Sequence, residues 1–132
     1  MTLNVIRLED DGLLVAGKHQ DFFVWRAKSN TVEIITNEGP WIGVVDDVRR
    51  SVEDQPLKLE IGDWVLLHTD GVTEAANASG VMFGEAGLER VLSEIAGKVS
   101  LREAVGLVRA RVEAYQQRQD DDLTIVMLRR VS

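Results

Sequence analysis

Gly62-Asp63-Trp64-Val65-Leu66-Leu67-His68-Thr69-Asp70-Gly71-Val72-Thr73-Glu74-Ala75 is the stretch on which the fold turns. Gly62-Asp63 reads as a turn, and residues 64–67 after it are apolar without alternation. A strand that is apolar on both sides has to be covered on both sides, which predicts a central position in a sheet. Thr69-Asp70-Gly71-Val72-Thr73-Glu74 then places acids and turn formers directly at the end of that strand.

Upstream, residues 3–8, 13–16, 22–25, 31–35 and 41–45 read as strands. They are separated by Asp10-Asp11-Gly12, Gly17, Lys28-Ser29-Asn30 and Asn37-Glu38-Gly39-Pro40. Leu57-Lys58-Leu59-Glu60-Ile61 alternates as a half-buried strand does. Downstream the period changes. Leu88, Val91, Leu92 and Ile95 fall on one face of a helix that ends near Gly97. Ser100-Leu101-Arg102-Glu103 has the form of a capping box and opens a second helix, with Leu101, Ala104, Val105, Val108, Val112 and Tyr115 on one face. The polar residues 116–120 end it, and Leu123-Thr124-Ile125-Val126-Met127-Leu128 is a last strand. About seven strands, two helices and a final strand predict an α+β fold, a largely antiparallel sheet flanked by two helices.

The chain has 132 residues, of which 45% are hydrophobic and 28% charged, the composition of one small globular domain. Fifteen Lys and Arg against 22 Asp and Glu leave a net charge of −7. That balance argues against a nucleic-acid-binding module that neutralises phosphates, and against a polybasic membrane anchor. With no Cys, disulfides, thiolate zinc sites and Cys nucleophiles are excluded. The same absence fits a reducing compartment, and the cytoplasm is the expected location. No apolar run approaches the roughly 20 residues of a membrane span. The first residues run straight into strand-like sequence, so no leader peptide is expected.

Asp120-Asp121-Asp122-Leu123-Thr124 leads into the last strand as the first acidic cluster leads out of residues 64–67. If those two strands are antiparallel neighbours, Asp70 and Asp121 lie at the same end of the sheet. Carboxylates gathered there cost free energy unless they are solvated or paired with a cation. A hard divalent ion, Mn²⁺ or Mg²⁺, suits carboxylates and water. Solvated turn and cap residues are the other reading of the same acids, and the pattern alone leaves both open. His19 and His68 are each a candidate general base or ligand, but His19 sits in a turn and His68 on a core-like strand, which favours structural roles. Trp25, Trp41 and Trp64 read as core residues before pocket residues, and Asp46-Asp47 as a solvated loop. Arg109, Arg111 and Arg118 read as the wet face of the second helix, with phosphate contact as the alternative.

Taken in order, residues 62–75, Phe83-Gly84 and Asp121-Asp122-Leu123-Thr124-Ile125-Val126 resemble the PP2C-like phosphatases, and within them the bacterial SpoIIE/RsbU-type serine phosphatases. Ala16-Gly17-Lys18-His19-Gln20 and Gly39-Pro40-Trp41-Ile42-Gly43 resemble that family's Ala-Gly-x-His and Gly-x-x-x-Gly turns. The resemblance implies part of a PP2C-like β-sandwich. It implies metal-ligand roles for Asp70 and Asp121, and for Glu74 at a further, weaker site. It also implies two Mn²⁺ or Mg²⁺ ions holding a bridging water that attacks phosphorus in line. The partner it implies is a phosphoserine regulatory protein of the anti-sigma-factor-antagonist type. The family's early Asp with Gly-His-Gly has no counterpart here. Residues 1–132 are therefore expected to form a single partial domain lacking the N-terminal metal-binding half, with weak metal binding and little turnover alone. A non-catalytic module that binds a partner or itself is the alternative, and a small β-rich sensor domain with incidental acidic loops is a third reading. Sheet edges left uncovered in a partial domain predict a homo-oligomer.

Overall fold

The computed structural model describes residues 2–36, 38–39, 52–118 and 121–132. Strands β1 (Leu3–Glu9), β2 (Gly12–Lys18), β3 (Phe22–Arg26), β4 (Thr31–Ile35), β5 (Gln55–Lys58) and β6 (Trp64–His68) come first. Helices α1 (Asp70–Thr73), α2 (Gly84–Ile95) and α3 (Leu101–Tyr115) follow, and β7 (Ile125–Arg129) closes the order. The strands form two antiparallel sheets, one in the order β1-β2-β5 and the other β4-β3-β6-β7. The fold is α+β, as the sequence predicts, with the strands divided between two sheets. The fifth expected strand, at residues 41–45, lies outside the described residues, as do Trp41 and Asp46-Asp47.

The two faces of β3 and β6 explain their unbroken apolar sequences. Phe22, Val24 and Val65 point toward the three-stranded sheet and pack with Leu13, Val15 and Leu59. Phe23, Trp25, Trp64 and Leu66 point the other way, onto Leu88, Val91 and Leu92 of α2 and Ala104, Val108 and Val112 of α3. The four-stranded sheet is thus the middle of three layers. Trp25 and Trp64 meet edge to face, with ring centroids 5.9 Å apart. Both are core residues. β6 pairs with β3 on one side and β7 on the other, which is the central position that its sequence predicts.

The helices follow their sequence signals. In α2, Leu88, Val91, Leu92 and Ile95 are the buried residues. At the start of α3, the Ser100 hydroxyl accepts from the Glu103 amide while the Glu103 carboxylate accepts from the Ser100 amide. Among the described residues no helix is long and apolar enough to cross a membrane.

One boundary differs. The alternation at residues 57–61 predicts a strand running to Ile61, but β5 stops at Lys58 and Ile61 is 67% exposed. Asp63 is the cause. Its side chain is 1% exposed, and its carboxylate accepts from the amides of Glu60 (3.0 Å) and Ala27 (2.9 Å) and from Arg26 Nη1 (3.0 Å). The Asp63 amide in turn donates to the Glu60 carbonyl. The chain is folded into a turn from Glu60 onward, and the ladder ends before it.

Burial pushes the Asp63 carboxyl pKa up, but the two amides and the Arg26 guanidinium outweigh it and hold the pKa below the usual carboxylate value. Because the folded-state pKa is the lower one, the contribution is fully present above the unfolded-state value of about 3.9 and is lost as pH falls toward the folded-state pKa. Asp63→Ala leaves two buried amides and a guanidinium without their acceptor. It is expected to destabilise the chain by about 3 kcal/mol at neutral pH and to shrink the loss of stability below about pH 4. Urea unfolding of both proteins across that pH range measures both effects.

Candidate functional site

The C-terminal end of β6 and the N-terminal end of β7 meet at His68 opposite Ile125. Just beyond, the Thr69 amide donates to the Thr124 carbonyl (3.1 Å). The Thr69 hydroxyl accepts from the Thr124 amide (3.1 Å) and donates to the Asp122 carbonyl (3.2 Å). One threonine therefore carries the pairing past the last strand residues and ties the segment entering α1 to the segment 121–124. That hydroxyl makes no capping bond to α1, being engaged across the strands.

Helix α1 is a single helical turn, where the sequence suggests only a turn with caps. Its first residues are Asp70 and Gly71. Asp70 Oδ1 accepts from the Gly71 amide at 3.0 Å, and the Thr73 hydroxyl donates to the Asp70 carbonyl at 3.2 Å. Gly71 is buried, and a β-carbon there would lie 2.6 Å from the Asp122 carbonyl oxygen and 3.4 Å from Asp121 Cβ. The missing side chain is what lets the two acidic segments touch. On the other side, Asp121 Oδ1 accepts from the Asp122 amide at 2.8 Å.

Next to this junction lies a cavity of about 210 Å³ whose wall includes Gly71, Glu74, Met82, Gln116, Arg118 and Asp121. Glu74 and Asp121 thus share one cavity, while Asp70, next to Gly71 in sequence, does not line it. Among the described residues no three His, Asp or Glu side chains gather into a metal-holding set. What the corner offers is hard carboxylate oxygen from two strand ends, the donor type that Mn²⁺ and Mg²⁺ take.

Neither histidine lines that cavity. His19 Nδ1 meets the Thr2 hydroxyl at 2.9 Å. His68 is 6% exposed, with its ring 5.7 Å from that of Phe23. Its Nδ1 lies 3.0 Å from the Thr69 carbonyl, which can only accept, so the proton is assigned to Nδ1. Burial lowers the imidazole pKa, against smaller opposing effects from the Thr69 and Asp21 backbones and from Glu85. The arginines divide. Arg109 pairs with Glu113 (2.7 Å) and Arg111 with Glu94 (3.1 Å) on the exposed face of α3. Arg118, expected on that same helix, lies past its end at Tyr115 and joins the acidic cavity. Only its position just before Asp121-Asp122 hints at that place.

The family model described as stage II sporulation protein E (SpoIIE) matches residues 1–131. No curated protein matches. Several solved structures share the fold. The phosphatase domain of SpoIIE from Bacillus subtilis, presoaked with Mn, is 19% identical with a TM-score of 0.66, over 99% of this chain and 56% of that one. The SiaA PP2C domain of Pseudomonas aeruginosa is 23% identical with a TM-score of 0.68, over 89% and 46%. The RsbU and RsbW domains of a Mycobacterium tuberculosis protein give 19% and 0.77, over 98% and 36%. The chain therefore spans less than two thirds of each of these structures.

The close approach at Gly71 makes a direct prediction. Gly71→Ala forces α1 away from Asp122 and is expected to cost about 1–3 kcal/mol. Gly106→Ala, within α3 where nothing lies within 4 Å of the added carbon, is expected to stabilise by about 1 kcal/mol through helix propensity. Parallel urea titrations of the two variants and the parent check the contrast.

Proposed function

This chain belongs to the SpoIIE family, and on that footing we propose that it supplies part of a PP2C-type, metal-dependent serine phosphatase. The observation that carries this reading is the antiparallel β6–β7 pairing, continued by Thr69, which places Asp70 and Asp121 on touching segments 51 residues apart in sequence. In this reading Asp70 and Asp121 hold the metal and Glu74, on the cavity wall, serves a further and weaker site. Arg118 contributes a guanidinium to the same wall, a group suited to phosphoryl oxygens. When bound, Mn²⁺ or Mg²⁺ supplies an activated water at neutral pH and neutralises charge on the phosphoryl group. The chain's own residues do the rest: they fix the carboxylates through the strand ladder and shape the cavity beside them.

The chain spans 56% of the SpoIIE phosphatase domain and 46% of the SiaA domain, and the family's early Asp with Gly-His-Gly has no counterpart in residues 1–132. We therefore infer that residues 1–132 form a partial domain and that a further carboxylate of the phosphatase site lies outside them. The RsbU-type likeness supports a phosphoserine regulatory protein, of the anti-sigma-factor-antagonist type, as the substrate, with action in the cytoplasm.

Mn²⁺ titration calorimetry of the chain tests the ligand assignment. Asp70→Ala and Asp121→Ala are each expected to weaken binding by about tenfold or more, roughly 1.4 kcal/mol, and Glu74→Ala by less. In the intact phosphatase domain, either aspartate variant is expected to abolish Mn²⁺-dependent phosphoserine hydrolysis, and chelation of the metal to do the same. Unchanged rates in both variants would rule the assignment out.

A second observation favours self-association. Leu3 and Val5 lie on the outer face of the edge strand β1 with 46% and 57% of their surfaces exposed, and Leu8 follows at 72%. An apolar edge of this kind is a template for pairing. Light scattering is expected to give a dimer or larger species that Leu3→Lys and Val5→Lys together return to monomer. A parent chain that is already monomeric at every concentration tested would dismiss it.

A further inference from the structure

The acidic cavity is not an isolated hollow. Met82 forms part of its wall and also part of the wall of a larger groove, about 550 Å³, that runs between α2 and α3. That volume falls within the range of about 300–1,000 Å³ in which proteins bind ligands. Phe83, Val91 and Tyr115 give it an apolar lining, and Val81 and Met82 stand at its edge with 56% and 60% of their surfaces in solvent. Tyr115 holds this end of the groove together. Its ring meets Phe83 edge to face at 5.4 Å, and its hydroxyl accepts from Asn77 Nδ2 at 3.2 Å and donates to the Met82 carbonyl at 3.4 Å.

The charge of the groove runs against that of the chain. The whole protein carries a net charge of −7, yet among the described residues the charged ones lining the groove are Arg90 and Arg111, and none is a carboxylate. Arg111 is steadied by Glu94 at 3.1 Å, outside the lining, and remains 56% exposed. An apolar trough edged by two guanidinium groups complements a segment that carries both apolar side chains and carboxylates. A peptide whose phosphoseryl group lies in the acidic cavity can leave it over Met82, straight into this trough.

We propose that the α2–α3 groove docks an extended, acidic and apolar segment of the phosphoprotein partner, next to its phosphoserine. The inference rests on the acidic cavity being the place where phosphoserine is bound. The groove then supplies affinity and choice of substrate through contacts remote from the reacting phosphorus. Arg90 and Arg111 discriminate by the sign of the flanking charge, and Phe83 and Tyr115 by apolar contact.

The experiment uses the ¹⁵N-labelled 132-residue chain and short synthetic peptides built around serine or phosphoserine, flanked by leucines with either aspartates or lysines. NMR shifts locate each peptide, and fluorescence anisotropy gives its affinity. The acidic peptides are expected to shift the amides of Met82, Phe83, Arg90 and Arg111 and to bind about tenfold more tightly than the lysine peptides. The double variant Arg90→Glu with Arg111→Glu is expected to reverse that preference, so a folded variant announces itself by gaining the lysine peptides. Equal binding of acidic and lysine peptides, or an acidic peptide that binds parent and double variant alike, overturns the proposal. So does a groove whose shifts follow protein concentration rather than peptide, since its occupant is then a second copy of the chain. The unphosphorylated acidic peptide reads the groove alone. The Mn²⁺-dependent gain of the phosphorylated peptide over it, and its loss in Asp70→Ala and Asp121→Ala, reads the cavity. Failure of the second comparison counts against the phosphatase reading, and failure of the first against the groove.

Discussion

Strand β6 has no free face. Val65 is shut against the three-stranded sheet, Trp64 and Leu66 are shut against the helices, and β3 and β7 occupy its two edges. A strand held on four sides cannot slip by one residue without sending Trp64 and Leu66 into the inter-sheet layer and Val65 into the helical one. Its register is therefore fixed, and so is the point at which the chain leaves it. Everything at the candidate site is placed relative to that point. The β7 register sets where Thr124 arrives, Thr69 binds the two together, and Gly71 brings α1 down onto Asp122.

The other end of the sandwich is tied with equal economy. Arg130, directly after β7, donates to the carbonyls of Leu59 and Asp10 and so joins the last strand to the segment leaving β5 and to the β1–β2 turn. Its amide donates to the Asp63 carbonyl, and its carbonyl accepts from the Gly62 amide. Asp63 and Arg130 together make the Gly62-Asp63 turn a junction between sheets. That turn opens the segment 62–75, and the acids of the candidate site close it.

Much of this was legible in the residues because burial writes itself as pattern. The apolar run without alternation at 64–67 gave a strand covered on both faces, aromatic and β-branched residues gave the strand at 22–25, period 3.6 gave α2 and α3, and Ser100 with Glu103 gave a helix start. That the two acidic segments meet was conditional on their strands being antiparallel neighbours, and the β6–β7 ladder meets that condition. What stayed hidden depends on partners far apart in sequence. Asp63 looks like a turn residue, and nothing near it announces a guanidinium 37 residues upstream, so the early end of β5 could not be foreseen. Two sheets are implied by the β-sandwich resemblance, but which strand joins which sheet is set by which edges pair, and short strands of similar composition do not declare that. Arg118 has no periodicity to follow once α3 has ended, so its place beside Asp121 emerges only from the packing of the chain.

Four aspartates and glutamates illustrate how one side-chain type comes to do opposite work. Asp63 is buried, and its oxygens are spent on two amides and a guanidinium. Its charge holds the fold and has nothing left for a ligand. Glu74 and Asp121 are exposed, and Asp70 is only half-buried. Water can solvate these three in the folded chain, so the fold does not depend on neutralising them. Their positions come instead from backbone ladders and from Thr69, which would persist if the carboxylates were removed. In a site of this construction the strand pairing, and not a cation, brings the carboxylate-bearing segments together.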